Sequence, residues 1–387
     1  MNRVLPFALR DRVRQASRAL LKRSCHGVAS AQETLYVHGA RLEESNLPYK
    51  PLDTIIFSAK RYDQRFLTAA NADAGHSLLF VDVKLDRFTA SLAKGQQAVS
   101  LFVNDRADKE ALEVLADGGV KLIALRSCGY NHVDLEVAKA LGISVTHVPD
   151  YSPYAVSEHT LALCLSLVRR IPQAHLRVRG GNFSIDGLLG FNLNGKVVGL
   201  VGVGKIGIAV AKAFQGFGCQ VIAYDPMPTR EGLEANVQFL GLQEVIRSSD
   251  VLSLHCPLNR HTKHMINYQT LSWMKKGAVL LNTSRGGLVD TRAVLEVLES
   301  GHLGALGIDV YEDEAPLFYE DHSSRGVVDE VFRKLVLYPN VLVTGHQGFF
   351  TEEAMKTIAS RTIQSFTTFA SKEPYPFTLV PPSYENV

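Results

Sequence analysis

The chain has 387 residues, 46% hydrophobic and 21% charged, which is room for two folded domains plus an extension and excludes a disordered protein. A formal net charge of +2 gives no electrostatic case for nucleic acid, and no apolar run reaches the roughly 18 to 20 residues that span a bilayer, so no membrane role is expected. Cys25, Cys128, Cys164, Cys219 and Cys256 form no CxxC pair, so neither a disulfide frame nor a zinc site is expected, and no other metal centre is assigned.

The first 30 residues differ from the rest. Arg3, Arg10, Arg12, Arg14, Arg18, Lys22 and Arg23 stand against one acid, Asp11, and Leu5, Leu9, Val13, Ala16 and Leu20 recur near helical spacing. An Arg-rich, acid-poor, amphipathic start is the signature of a transit peptide, with mitochondrion or chloroplast as the expected address. The alternative is a basic tail without an address, in a cytoplasmic protein. The linker-like "ARLEESNLPYKP" follows, so residues 1–50 are set aside as an N-terminal extension.

From Asp53 onward, apolar runs alternate with helical patterns. "TIIFSA", "SLLFVDVKL", "AVSLFV", "VKLIALRS" and "ISVTHVP" read as strands, with "DKEALEVLADGG" and "NHVDLEVAKALG" as amphipathic helices between the last three. A long helix, "SPYAVSEHTLALCLSLVRRI", starts with Pro153 where a first turn tolerates it. After the connector "RGGNFSIDGLLGFNLNG" a second series of strands runs "KVVGLVGVG", "CQVIAYD", "DVLSLHCP", "GAVLLNTSRG", "ALGIDVYE" and "NVLVTGH". Such alternation predicts an α/β fold of two Rossmann-like, doubly wound parallel sheets. The last helix, "TEEAMKTIASRTIQSFTTFA", is expected to return to the first domain. The expected domains are therefore 51–152 plus 347–387 for substrate and 153–346 for a dinucleotide, with a ligand cleft between them.

"GLVGVGKIG" places G-x-G-x-x-G at Gly202, Gly204 and Gly207, after a strand and at the start of a helix. Asp225 closes the next strand at 225 − 202 = 23 residues, close to the roughly 20 of a dinucleotide fingerprint. Gly202 permits the tight turn, Gly204 lets the backbone approach a pyrophosphate, and Gly207 packs helix on sheet. Asp225 accepts bonds from ribose hydroxyls and repels a 2′-phosphate, so NAD is expected over NADP, with Arg230 nearby as the one softening influence.

Three groups follow strand ends of the second series: Arg285 after "AVLLNTS", Glu314 after "LGIDVYED" and His346 after "VLVTG". In open α/β sheets ligands bind beyond those ends. Arginine grips a carboxylate bidentately, histidine exchanges a proton near neutral pH, and a carboxylate beside that ring stabilises its charged form. Together with a nicotinamide site, the three point to carbonyl reduction of a small 2-keto acid. Asp309, in the strand "GIDVYE", extends that charge network or bonds a neighbouring turn.

The strings "LRSCGYNHVDL", "VPDYSPYAVSEHT", "GLVGVGKIG", "LHCPLNRHTKHMIN", "NTSRGGLVD", "GIDVYEDE" and "TGHQGFF" occur in order from about residue 53 to the end. In them the chain resembles the D-2-hydroxyacid dehydrogenase family, most closely its fermentative D-lactate dehydrogenases. The gaps 314 − 285 = 29 and 346 − 314 = 32 are family-like, and "LFYEDHSSRGVVDEVFRKL" resembles the long acidic loop of the D-lactate members.

The resemblance implies that Arg285 anchors substrate, Glu314 supports the histidine, and His346 is the acid/base. It further implies that Tyr151 and the backbone at Cys128 and Gly129 bind the substrate carboxylate. Phe349, and Phe102 from the facing domain, wall a small substrate or are simply core. On the cofactor side the set is Gly202, Gly204, Lys205, Ile206, Gly207 and Asp225. His255, Cys256, Pro257, Thr283, Ser284 and Asp309 complete it, Cys256 as a wall residue and not an activated thiolate.

The expected reaction is NADH-dependent, reversible reduction of pyruvate to D-lactate by a homodimer or homotetramer. Reductases of hydroxypyruvate, glyoxylate or phenylpyruvate are the alternatives within the class, and a NAD-sensing corepressor-like scaffold is the alternative outside it. Formate dehydrogenases carry glutamine where this chain has Glu314. Gly287 in "SRGG" departs from the proline or alanine of many members.

Overall fold

The computed structural model describes residues 35–38 and 47–382. In chain order its strands are β1 (Leu35–His38), β2 (Asp53–Ile56), β3 (Ser77–Val81), β4 (Ala98–Leu101), β5 (Leu122–Leu125) and β6 (Ser144–Thr146). Then come β7 (Val197–Val201), β8 (Gln220–Tyr224), β9 (Gln238–Phe239), β10 (Val251–Leu254), β11 (Val279–Asn282), β12 (Ala305–Ile308), β13 (Val341–Val343) and β14 (Thr378–Val380). Two compact units result: one runs to Tyr151 and resumes at Met355, the other is Ser152–Ala354.

The first unit holds the sheet β1-β3-β2-β4-β5-β6-β14. Its five inner strands are parallel, and β1 and β14 are antiparallel edges. Every residue of β4 and β5 is buried, which explains why they are apolar but for Ser100: helices cover both faces. Asp108 and Asp134 start the helices Lys109–Asp117 and Leu135–Ala140 by accepting the amides of Ala111 and Val137. The helix Glu352–Ala370 lays Ala359, Ile363 and Phe366 into this unit's core with Leu67, Leu78 and Phe80.

The second unit is a wholly parallel sheet, β13-β12-β11-β10-β7-β8-β9. Strand order reverses between β7 and β10, so the glycine loop after β7 opens at the switch point where this architecture binds ligands. β11, β12 and β13 are neighbours, so their carboxyl ends sit side by side. Ser152 caps the helix Pro153–Val168 through the Ala155 amide, with Pro153 in the first turn.

Two expected boundaries need correction. Leu35–His38 lie within the segment set aside as extension, yet pair with β3 in the register Leu35↔Val81 to His38↔Leu78. A four-residue edge strand flanked by polar sequence carries too short a pattern to stand out. Residues 347–354 were counted with the substrate domain but belong to the second unit. The amides of Gln347 and Gly348 bond Asp309, which ties them to the end of β12. β9, β14 and the helix Arg61–Ala70 are further elements that the pattern did not announce. The first 30 residues, on which the transit-peptide expectation rests, lie outside the described residues.

Candidate active site

The glycine loop is built as its spacing predicts. Gly202 adopts φ +94°, and a Cβ there would lie 2.7 Å from the Cys256 amide nitrogen and 2.8 Å from the His255 carbonyl oxygen. A Cβ on buried Gly207 would overlap the Gly202 carbonyl oxygen. Gly204 differs: a Cβ there meets nothing within 4 Å. It opens the helix Lys205–Gly216, which has no side-chain cap hydrogen bond, and such a helix N-terminus suits an anion. Lys205 is exposed on that first turn, while Ile206 packs on the core.

Asp225 accepts the Val203 amide at 2.8 Å and the Met227 amide at 2.9 Å. These bonds hold the carboxylate beside the glycine loop with lone pairs to spare for hydroxyl donors. Arg230 is exposed and pairs with Glu234.

His255 bonds Ser253 Oγ through Nε2 at 2.8 Å, and its buried Nδ1 has no protein partner. Burial pushes this imidazole down to about 4, so it is neutral at pH 7. An orphaned polar atom at the C-terminal end of β10 is the kind of group a ligand satisfies. Burial also pushes the Cys256 thiol up to about 11, and its Sγ lies 3.6 Å from Met265 Sδ, in keeping with an inert wall residue. Ser284 Oγ donates to the Cys256 carbonyl, buried Thr283 bonds Thr160, and the Pro257 carbonyl accepts from Thr262.

At the ends of β11, β12 and β13 stand Arg285, Glu314 and His346. His346 Nδ1 is 2.8 Å from Glu314 Oε1, and Glu314 Oε2 accepts the Tyr311 amide at 3.0 Å. Both carboxylate oxygens are thus fixed, and the first places the ring proton on Nδ1. His346 has φ +53°, and the Tyr319 hydroxyl donates to its carbonyl at 3.1 Å. Phe349 stands edge-on to the imidazole, with centroids 6.5 Å apart. Arg285 is half-buried, its Nη1 donating to the Ser284 carbonyl and its own carbonyl accepting from Asn282.

Asp309, expected on the cofactor side, meets protein groups on every side that the structure describes. Its carboxylate, in a residue only 2% exposed, accepts the Thr344 hydroxyl at 2.6 Å and the amides of Gln347 and Gly348 at 2.9 and 2.8 Å. His159 Nε2 stands 3.2 Å away. Of the two expected roles, it bonds the neighbouring turn, and it does so under the backbone that carries His346. Burial would raise its carboxyl, but the bonds from His159, Thr344, Gln347 and Gly348 outweigh that and hold it below the usual carboxylate range.

The remaining expected substrate contacts belong to the first unit. Tyr151 ends its first stretch, the Cys128 carbonyl is 3.0 Å from His147 Nδ1, and Ser127 Oγ donates to the Gly129 carbonyl. Phe102 is buried, its amide held at 2.6 Å by Asp105, with the Arg126 guanidinium 5.7 Å from its ring centroid. Arg126 is itself buried. It bonds Ser100 Oγ and the Phe57 carbonyl and faces Asp63 at 3.3 Å. Sequence reasoning missed Arg126, Tyr319, His159 and His264; all four sit inside quoted strings, but nothing in one sequence says which way they face.

Residues 161–348 match the family model described as "D-isomer specific 2-hydroxyacid dehydrogenase, NAD binding domain". The chain is 48% identical over 316 residues to 2-hydroxyacid dehydrogenase homolog 2 of Schizosaccharomyces pombe, covering 81% of this chain and 95% of that one. It is 44% identical over 325 residues to the D-lactate dehydrogenase of Escherichia coli K12, covering 84% and 99%. Its fold is similar to that of the pyruvate reductase of Chlamydomonas reinhardtii, with TM-score 0.80 and 42% identity over 85% of this chain and 99% of that one.

The chain belongs to the D-isomer specific 2-hydroxyacid dehydrogenase family. It is an NAD-dependent oxidoreductase, and the open space at Gly204, the uncapped helix and Asp225 suit that dinucleotide.

Proposed function

We propose that the enzyme reduces pyruvate to D-lactate with NADH, reversibly, in a fermentative role. The observation that carries the chemistry is the 2.8 Å bond between His346 and Glu314 at adjoining strand ends. Bound NADH supplies hydride to the keto carbon. His346 supplies the proton to the developing alkoxide and takes it back in the reverse direction. Glu314 fixes the ring and stabilises its charged form. Arg285 offers the planar cation that a substrate carboxylate requires. Phe349, buried against the His346 ring, suits a methyl-sized substituent, and relatives named D-lactate dehydrogenase support pyruvate over larger 2-keto acids.

Purified enzyme and NADH should be assayed against pyruvate, glyoxylate, hydroxypyruvate and phenylpyruvate, with the product's chirality read on a chiral column. Pyruvate should give the highest kcat/KM and only D-lactate. A higher value with another acid would move the enzyme within its family, and negligible turnover with all would favour a NAD-sensing scaffold.

The working assembly in this reading is a homodimer through the second unit. Ile171, Leu176, Val178, Phe183, Ile185 and Leu189 are exposed along one continuous segment, an apolar surface that a second copy would cover. Light scattering at micromolar concentration tests it. The N-terminal extension, residues 1–50, would deliver the enzyme to mitochondrion or chloroplast, and the location of a fluorescent fusion of residues 1–50 tests that.

A further inference from the structure

His264 lies in "RHTKHMIN", outside every role assigned above. It adopts φ +50°, a left-handed conformation uncommon for a residue with a Cβ. Its backbone is held on both sides: the amide donates to the Gly287 carbonyl at 2.9 Å, and the carbonyl accepts from Asn267 Nδ2 at 2.9 Å. Two residues on, the Ile266 amide donates to the Leu288 carbonyl, and Ile266 accepts the Asp290 amide. The segment around His264 is thus laid along the turn that begins directly after Arg285.

The ring of His264 reaches the other way. Its Nε2 bonds Glu312 Oε1, and Glu312 Oε2 lies 3.5 Å from the Thr291 hydroxyl. Glu312 follows Tyr311, whose amide holds Glu314 Oε2 at 3.0 Å. A Cβ on Gly286 would overlap the Tyr311 carbonyl, so the Arg285 turn and the Glu314 loop touch with no side chain between them. One residue therefore ties the two pieces together, by its amide to the Arg285 turn and by its ring to the Glu312 side chain.

We propose that His264, acting through Glu312, is a positioning residue that sets Arg285 against the Glu314–His346 pair. This inference rests on the roles given to those three residues under the proposed function. The two side chains are about a third exposed, 37% and 27%, so their charge is screened and the hydrogen bond's geometry is what matters. Geometry is costly to lose here: a shift of about 1 Å in a substrate-orienting group reduces rate up to about 100-fold. The Ile266 and Gly286 contacts remain in a variant, so a loss nearer tenfold is expected.

The test compares full-length H264N, E312A, E312Q and the double variant H264N/E312A, with H346Q as control. Asparagine tolerates the left-handed backbone but is too short to reach Glu312, so H264N removes only the ring's bond. H264N and E312A should each lower kcat/KM for pyruvate about tenfold, and the double variant should lose no more than either alone, because one bond is removed twice. E312Q keeps an acceptor and should stay within about twofold of wild type. The dissociation constant for NADH, read by fluorescence, should stay within about twofold throughout.

Wild-type kcat/KM in H264N, additive losses in the double variant, or a loss confined to NADH binding would overturn the inference. Should H264N fail to fold, E312A against E312Q decides alone, and equal activities overturn it. An active H346Q would instead sink the acid/base assignment, whereas an inactive H346Q beside a fully active H264N sinks only the role of His264.

Discussion

Asp309→Ala removes four contacts from beneath the backbone that carries His346. Thr344 can rotate its hydroxyl and His159 retains that hydroxyl at 2.9 Å, so these two recover part of their loss. The Gly348 amide cannot, because it is buried and points at the missing carboxylate, whereas Gln347 is exposed and water can take its amide. One stranded amide gives a loss of about 1–3 kcal/mol in the second unit. Against a domain stability of about 5–15 kcal/mol, the variant should fold but unfold at clearly lower urea. Asp309→Asn keeps one acceptor and turns an N–H toward a donor, so it should lose about half as much.

The sign of the pH dependence follows from the same bonds. The folded carboxyl is held below its unfolded value of about 3.9, so its contribution is complete above about pH 4 and is lost as pH falls through the folded value. Urea titrations followed by circular dichroism should show a constant gap between wild type and Asp309→Ala from about pH 5 to about pH 8 that closes in acid. Because His346 sits at φ +53° on that backbone, kcat should fall about 10- to 100-fold. A variant within about 0.5 kcal/mol of wild type at neutral pH, with unchanged kcat, would refute the reasoning.

His346→Gln should lose turnover by about 100-fold or more while NADH affinity holds, and near-wild-type turnover would refute its role. Arg285→Lys should raise KM for pyruvate sharply through loss of the bidentate grip; an unchanged KM would count against that contact. Gly204→Ala should leave the melting temperature almost unchanged, since a Cβ there meets no protein atom within 4 Å, yet weaken NADH at least about tenfold, by holding pyrophosphate away from the loop backbone. Gly202→Ala, by contrast, should destabilise the unit itself, because φ is +94° and the Cβ would strike the His255–Cys256 backbone. Tyr319→Phe removes one bond to the His346 carbonyl and should lower kcat about two- to fivefold, measured in the pyruvate assay.

Much of this architecture is written locally. Fully buried parallel strands are near-continuous apolar runs, so β4, β5, β10, β11 and β12 announce themselves, and G-x-G-x-x-G followed by Asp225 names a dinucleotide cradle. Arg285, Glu314 and His346 could be picked out because each follows a parallel strand of the second unit, and parallel neighbours deliver their ends to one edge. Short edge strands escaped: β1, β9 and β14 have two to four residues, too few for a period to show.

Direction escaped as well. Asp309, Glu312 and Glu314 stand within six residues of one another, and no composition or spacing distinguishes the carboxylate turned under the His346 turn from the one bonded to His264 or the one bonded to His346. Arg126 looks like any charged residue after a strand, yet it is buried against Asp63, Ser100 and the Phe57 carbonyl. The sequence by itself determined which backbone runs become strands and which chemical groups arrive at their ends, because both depend on neighbours in the chain. Only the tertiary structure decided which partner each charge meets, because burial makes a polar group's energy depend on bonds from residues far away in sequence.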